Sequence, residues 1–175
     1  ASPQLPLSQF GERVLRHLED RSEQQFWRDL AASSFFMLVS RSDDPRCVAQ
    51  DRLVRVLQRE TGISVWDLSI DAGQLPGATR VVHYHSLPAA QRQALASQLA
   101  LDWLPTLYLY LVPSKHHHAQ SVGQWIRITN GLTPLADIKA RTLNFVIAYR
   151  HAMVQGAAHG QSTTPDFREH HVYPL

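Results

Sequence analysis

Apolar and polar positions fall along the chain in blocks whose periods predict alternating strands and helices. The continuous apolar run at 35–39 is typical of a strand buried on both faces, and the period-two pattern at 63–70 predicts a second strand. Between them, Asp44-Pro45 provides a capping carboxylate before a proline at the first helical position, and Thr61-Gly62 provides a helix end. The order strand, helix, strand predicts a parallel βαβ unit.

The following part of the chain adds a helix, two strands and a last helix. A long connection at 71–86 leads to a helix predicted at 87–101, and further strands are predicted at 107–112 and 124–129, joined by a hairpin-like loop. Thr133-Pro134 then starts the last helix. These elements predict an α/β protein with a central mixed four-stranded sheet flanked by helices.

The two ends of the chain differ from this central pattern. Helical periodicity at 8–18 and again at 22–30, where Ser22 is a candidate cap, predicts an N-terminal helical extension. From about residue 155 the chain is rich in small and polar residues, which predicts a flexible tail. We therefore expect an arm and helix at 1–21, a folded domain at 22–154 and a tail at 155–175.

Composition narrows the classes of partner. The net charge is +2, from 17 Lys and Arg against 15 Asp and Glu, and no nucleic-acid partner is expected from so small and scattered an excess. No apolar run reaches the roughly 18 residues of a membrane span, so no integral membrane segment is expected. The first six residues are small, polar and proline-rich, as after signal cleavage, although an artificial chain start would look the same.

Leu104-Pro105-Thr106 is the landmark at which a family resemblance begins. A proline between a helix end and an apolar strand sets a rigid, extended entry into a sheet. This turn and the order of the elements resemble the thioredoxin-like fold, in which the turn is usually cis at its proline and lies beside the active centre. Residues 22–150 are similar to the TraF-like and TrbB-like proteins of conjugative transfer systems. The fragments that carry the similarity are Phe35-Phe36-Met37-Leu38-Val39-Ser40, Thr61-Gly62-Ile63-Ser64-Val65, Leu68-Ser69-Ile70-Asp71-Ala72-Gly73 and Leu104-Pro105-Thr106-Leu107-Tyr108-Leu109.

The resemblance implies where the protein acts and with what. It implies a location in the bacterial cell envelope, in the periplasm after removal of a signal peptide. It also implies a role in assembling a conjugative pilus or a type IV secretion channel, with other proteins of that apparatus as partners. No cofactor is implied.

The segment that matches a thioredoxin active centre is Asp44-Pro45-Arg46-Cys47. A redox centre there needs one cysteine at the helix start, held as thiolate by the helix dipole, and a second one turn later that resolves the mixed disulfide. Cys47 is the single cysteine of the chain and falls on the second position, whereas Asp44 falls on the first. Cys47 is then a small buried hydrophobe, a single thiol that forms mixed disulfides with a partner, or a site of intermolecular pairing.

In thioredoxin-like folds the proline turn and the first helix start frame a groove in which an extended peptide docks. The resemblance therefore assigns a partner-binding groove to Asp44, Pro45, Arg46, Cys47, Trp103, Leu104, Pro105 and Thr106. Such a groove can bind an extended segment by strand addition without any dithiol. The four tryptophans are expected to line the core or its margins, and Trp103, next to the proline turn, is the candidate for a surface contact.

Other chemistry has weaker support in the sequence. The histidines at 83 and 85 lie on one face if that segment is extended, and further histidines occur at 116–118 and 170–171. No cysteine or carboxylate lies at a recognised spacing beside them, so we interpret them as solvated loop residues, with adventitious metal binding and a physiological metal site as the alternatives. No Gly-x-Ser-x-Gly elbow and no phosphate-binding loop occurs.

These observations predict a non-catalytic thioredoxin-fold component or assembly factor of a conjugation or type IV secretion apparatus, acting by protein–protein binding. A different class of function is a thiol-disulfide oxidoreductase or isomerase that works through Cys47 alone. A third possibility keeps the fold and the binding, but makes the protein a general peptide-binding chaperone outside conjugation.

Overall fold

The computed structural model describes residues 7–112 and 123–154, in which four helices and five strands follow one another along the chain. The strands are β1 (Ser34–Ser40), β2 (Val65–Ser69), β3 (Val81–His83), β4 (Thr106–Leu111) and β5 (Gln124–Arg127). The helices are α1 (Leu7–Ser33), α2 (Pro45–Thr61), α3 (Ala89–Gln98) and α4 (Leu135–Val154).

The strands form one mixed sheet in the order β3-β2-β1-β4-β5. β1 pairs with β2 and β2 with β3 in parallel, and β4 is antiparallel to both β1 and β5. This arrangement confirms the α/β, thioredoxin-like fold, including the parallel βαβ unit formed by β1, α2 and β2. All seven residues of β1 are buried, as its continuous apolar run predicts for a central strand.

The sheet has one strand more than the four predicted. β3 lies within the segment predicted as a long connection, and it pairs with β2 in the register Asp67↔Val81 to Ser69↔His83. Its two valines are the only local signal, and three residues are too few to show a period. The pairing with β2 therefore makes this segment a strand.

Two helices differ from the sequence prediction. α1 is one continuous helix from Leu7 to Ser33, so no new helix starts at Ser22. α3 is shorter than the predicted 87–101 and is preceded by a single 3₁₀ turn at Tyr84–Ser86. The division of the chain at residue 21 stays a prediction, and the tail at 155–175 lies outside the described residues.

Two apolar cores pack on opposite faces of the sheet. One contains side chains from α1, α2 and α4, with Phe36 and Leu38 from β1. The other contains Phe35, Met37 and Val39 from β1 together with Leu95 of α3. The alternation of β1 side chains between the two cores fixes the register of the central strand, because a slip of one residue would exchange the faces.

None of the helices in the described ranges combines the length and the apolar character that a bilayer crossing requires.

Candidate binding groove

The sheet register brings the two predicted halves of the groove to the same end of the molecule. Val39, near the end of β1, pairs with Thr106 at the start of β4. The loop after β1 leads into α2 at Pro45, and the Pro105 turn immediately precedes β4. The start of α2 and the Pro105 turn therefore both border the C-terminal end of β1.

Asp44 caps the first turn of α2. Its backbone is extended, and its Oδ1 accepts a hydrogen bond of 2.8 Å from the backbone N–H of Arg46. The guanidinium of Arg46 also pairs with Oδ2 at 3.2 Å. The hydrogen bond from the Arg46 side chain, followed by that from its backbone, lowers the pKa of Asp44 below its ordinary value. Asp44 is thus an ionised helix cap that neutralises the end of the helix dipole.

Polar residues around this cap form an exposed surface on the α2 side of the predicted groove. Arg41, Asp43, Asp44, Pro45 and Arg46 line a shallow surface depression of about 550 Å³. Arg41 Nε donates to Asp43 Oδ1 at 3.1 Å, and both side chains are largely exposed. Each guanidinium is satisfied by a carboxylate nearby in sequence, so the wall carries balanced charge and has no net attraction for an anion.

The loop that precedes α2 is anchored to the end of β2. Asp71 Oδ2 accepts hydrogen bonds from the backbone N–H of Ser42 at 2.9 Å and from its hydroxyl at 2.7 Å. Ser69 Oγ donates to Asp71 Oδ1 at 2.9 Å. Burial tends to raise the pKa of Asp71, but the hydrogen bonds from Ser42 and Ser69 outweigh it and leave the pKa lowered. The carboxylate of Asp71 therefore fixes the path of the loop.

Cys47 lies below this wall and is fully buried in the core that α2 shares with α1 and α4. Its Sγ accepts a weak hydrogen bond from the backbone N–H of Arg41 at 3.5 Å. Burial raises the pKa of the Cys47 thiol above its ordinary value, more than this hydrogen bond lowers it. A buried, protonated thiol is a poor nucleophile, because the thiolate is the reactive form.

The Pro105 turn forms the other wall, and its Leu104-Pro105 peptide bond is cis. The hydroxyl of Thr106 donates to the carbonyl of Trp103, and the carbonyl of Pro105 accepts from the N–H of Gly131 at 2.8 Å. Gly131 has a φ of 79°, a left-handed conformation that favours glycine. The loop after β5 therefore holds the Pro105 turn through a hydrogen bond that is not part of the sheet.

The turn presents an exposed apolar surface and unpaired backbone groups. Trp103 is 61% exposed, whereas Trp27 and Trp66 are 5% and 6% exposed. Leu132, which follows Gly131 and lies near the turn, is also exposed. Within the described residues, the backbone N–H and C=O of Leu104 take part in no hydrogen bond. An extended segment of another chain could pair with these groups while packing a side chain on Trp103.

Comparison with known proteins shows the family to which the chain belongs. The family model TraF, described as F plasmid transfer operon protein, matches residues 1–143. The chain belongs to the TraF family. No curated protein and no solved structure matches it.

Membership of the TraF family links the chain to conjugative transfer and confirms the resemblance. The match covers both walls of the groove, the Asp44 cap and the Pro105 turn. It also covers the whole of α1, which the resemblance included only from residue 22 onward. The N-terminal helix is therefore part of what this chain shares with the TraF family.

The histidines of this TraF-family chain do not form the arrangement that alternation would give. His83 ends β3, and its Nδ1 lies 3.4 Å from the carbonyl oxygen of Asp71. His85 lies in the 3₁₀ turn, so the two imidazoles do not follow strand alternation. In the part of the chain that the structure describes, no three potential ligands cluster for a metal. The histidines at 116–118 and 170–171 lie outside that part.

Sequence reasoning missed several residues that shape the groove. Arg41 lines the depression, Asp71 anchors its loop, and Gly131 holds the Pro105 turn. Gln50 lies on the buried face of α2 and is fully buried. A polar residue within the apolar stripe of a helix was a signal that could have identified Gln50 from the sequence.

A buried ion cluster lies further along α2. Arg55 pairs with Asp51 at 2.7 Å and with Asp67 of β2 at 2.9 Å. Asp51 Oδ2 also accepts from the N–H of Gly77 in the connection between β2 and β3. Burial raises the pKa of Asp67 to about 6, against the opposing effect of Arg55. The cluster ties α2 to β2 and the connection, outside the groove.

Proposed function

We propose that this TraF-family chain is a non-catalytic component or assembly factor of a conjugation or type IV secretion apparatus. It acts in the periplasm by binding another protein of the apparatus in the groove between the start of α2 and the Pro105 turn. The family supports the transfer system, and the resemblance to envelope thioredoxin-fold proteins supports the compartment.

One observation carries the proposal. At the position of the redox nucleophile the chain has Asp44, which is fully used as a helix cap and as the partner of Arg46. At the Pro105 turn, Trp103 is exposed and the backbone of Leu104 is unpaired within the described residues. The start of α2 therefore lacks the redox nucleophile, whereas the Pro105 turn offers groups on which a partner can dock.

The alternative, a thiol-disulfide enzyme that works through Cys47 alone, has less support. Its thiol is fully buried, and burial raises its pKa. Mixed-disulfide formation requires a thiolate that reaches a disulfide of the substrate. Insulin reduction and refolding of a scrambled substrate test this directly. We expect no turnover above background, and turnover that disappears in Cys47→Ala would overturn the non-catalytic assignment.

Binding is tested in cells that depend on this gene for transfer. Benzoylphenylalanine at position 103 should crosslink on irradiation to another protein of the transfer operon, identified by mass spectrometry. The matched control is position 147, because Ile147 is also a large exposed apolar residue, at 53%, but lies about 18 Å along α4 from its first turn. Equal crosslinking from both positions to the same proteins would contradict a specific groove.

Transfer frequency gives the second readout. Trp103→Ala should lower transfer about tenfold or more, since aromatic anchors dominate binding energy at interfaces. Ile147→Ala should leave transfer near the wild-type frequency, and both variants should keep wild-type stability because both side chains are exposed. Wild-type transfer by Trp103→Ala would exclude Trp103 as the anchor of the partner.

A further inference from the structure

Gln50 links the two walls of the groove through buried hydrogen bonds. Its side chain is fully buried in α2, one helical turn after Cys47. Its Nε2 donates to the carbonyl of Thr133 at 3.1 Å, and its Oε1 accepts from the N–H of Thr133 at 2.7 Å. The amide thus pairs with both backbone groups of one residue, as a neighbouring strand would.

The loop to which Gln50 is hydrogen-bonded, at Thr133, also holds the Pro105 turn. Thr133 Oγ1 donates to the carbonyl of Gly131 at 3.0 Å, and the N–H of Gly131 donates to the carbonyl of Pro105 at 2.8 Å. Thr129 Oγ1, in the same loop, accepts from the N–H of Leu107 in β4 at 3.1 Å. A continuous chain of hydrogen bonds therefore runs from α2 to the turn.

No direct hydrogen bond joins residues 44–47 to residues 103–106 within the described residues. From this we infer that Gln50 is a positioning residue that sets the Pro105 turn relative to the start of α2, and so the width of the groove. The functional meaning rests on the proposed use of the groove, whereas the positioning itself can be measured without any partner.

The chemistry of the amide explains why glutamine stands at this position. Only a side chain with a donor and an acceptor in one plane can satisfy both the N–H and the C=O of Thr133. Gln50→Glu keeps the acceptor and loses the donor. Gln50→Leu has a similar volume and leaves both buried backbone groups of Thr133 unsatisfied, a situation that proteins avoid.

Amide hydrogen exchange by NMR on the full chain tests the positioning. In Gln50→Leu the amide of Gly131 should exchange about tenfold or more faster than in the wild type, while Leu38 in the central strand changes less. The indole N–H signal of Trp103 should shift, because the indole lies beside Gly131. A Cβ atom added to that glycine would be only 3.7 Å from Trp103 Nε1. Gln50→Glu should show a smaller change in both signals, and it also serves if Gln50→Leu does not fold.

Thr142→Val is the matched control. Thr142 is also fully buried and polar, but its hydroxyl donates to Ile138 within α4, not to the loop. This variant should alter exchange throughout the fold without selective change at Gly131 or Trp103. Uniform acceleration in Gln50→Leu, with no excess at Gly131 and an unshifted Trp103 signal, would show a merely structural role and overturn the inference.

Crosslinking from position 103 separates this inference from the proposed function. If Gln50→Leu loosens Gly131 and also lowers the crosslink to the apparatus protein, both are supported. If the wild type gives no crosslink but Gly131 is loosened, the groove is not the binding site, and the positioning role stands. If the wild type crosslinks and Gln50→Leu changes neither the crosslink nor the exchange at Gly131, the inference alone is wrong.

Discussion

The two walls of the groove differ in how their polar groups are used. Asp44 at the start of α2 and Asp71, which anchors the loop before it, are engaged in hydrogen bonds, and Cys47 is buried. At the Pro105 turn, Trp103 is exposed and the backbone of Leu104 is unpaired within the described residues. The polar groups at the start of α2 are thus paired within the chain, whereas the Pro105 turn has an exposed tryptophan and backbone groups that a partner could pair with; the proposed docking therefore depends more on the turn than on the helix start.

The largest expected effect comes from adding a second thiol at the start of α2. Asp44→Cys places a thiol at the helix start, where the dipole favours the thiolate, one turn before Cys47. We expect insulin reduction to rise from background to a readily measured rate. The double variant Asp44→Cys, Cys47→Ala should remain at background. Activity in the wild type, or none in Asp44→Cys with both thiols titratable after unfolding, would show that the α2 wall is not a degenerate redox centre.

Among these predictions, the largest effect on stability is expected from the titration of Asp67, which pairs with Arg55 and so ties α2 to β2. Because the pKa of Asp67 is raised to about 6, its contribution to stability is fully present below the unfolded value of 3.8 and is lost as pH rises through about 6. The difference between these values corresponds to about 3 kcal/mol, at about 1.4 kcal/mol per pH unit.

Denaturant unfolding of the wild type and of Asp67→Asn at several pH values from 4 to 7 measures this effect. The wild type should lose stability relative to Asp67→Asn as pH rises, by up to about 3 kcal/mol. The groove lies outside the cluster, so the Trp103 indole signal should not follow this titration. A difference between the two proteins that grows in the opposite direction would mean that Arg55 dominates the pKa of Asp67.

Truncating the buried thiol should have a smaller effect. Cys47→Ala removes one buried atom from the core, which should lower the free energy of unfolding by about 1 kcal/mol. Transfer frequency should stay at the wild-type level, because the proposed function does not use the Cys47 thiol. Loss of transfer in a Cys47→Ala protein of near-normal stability would favour the monothiol function instead.

The Asp44 helix cap should contribute as much to the free energy of unfolding as the Cys47 side chain does, or less. Asp44→Ala should cost about 1 kcal/mol, and Asp44→Asn should cost less, because asparagine also caps helices well. Since the pKa of Asp44 is lowered in the folded state, its ionic contribution is present above the unfolded value of 3.8 and is lost as pH falls through the folded pKa.

Amide chemical shifts of the folded protein between pH 2 and 6 show whether protonation of Asp44 affects only the start of α2 or also the Pro105 turn. The amide of Arg46, which donates to Asp44, should titrate below pH 3.8, whereas that of Gly131, which donates to a carbonyl, should not. Asp44→Asn should remove the titration of Arg46. Titration of Gly131 together with Arg46 would mean that the walls respond as one unit.

Local patterns of residues were enough to predict part of the fold. The apolar run of β1, the cap and end of α2, and the proline before β4 each specify an element through a few adjacent residues. The order of those elements then indicates the thioredoxin-like fold and the family, as well as the two segments that border the groove.

Other features depend on distant partners and emerge only when the chain is folded. β3 is too short to show a period and becomes a strand by pairing with β2. Gln50 acquires its role from Thr133, which lies 83 positions along the chain. Arg55 reaches Asp67 of β2 at 2.9 Å, a pairing that no local pattern predicts because it depends on how α2 packs on the sheet.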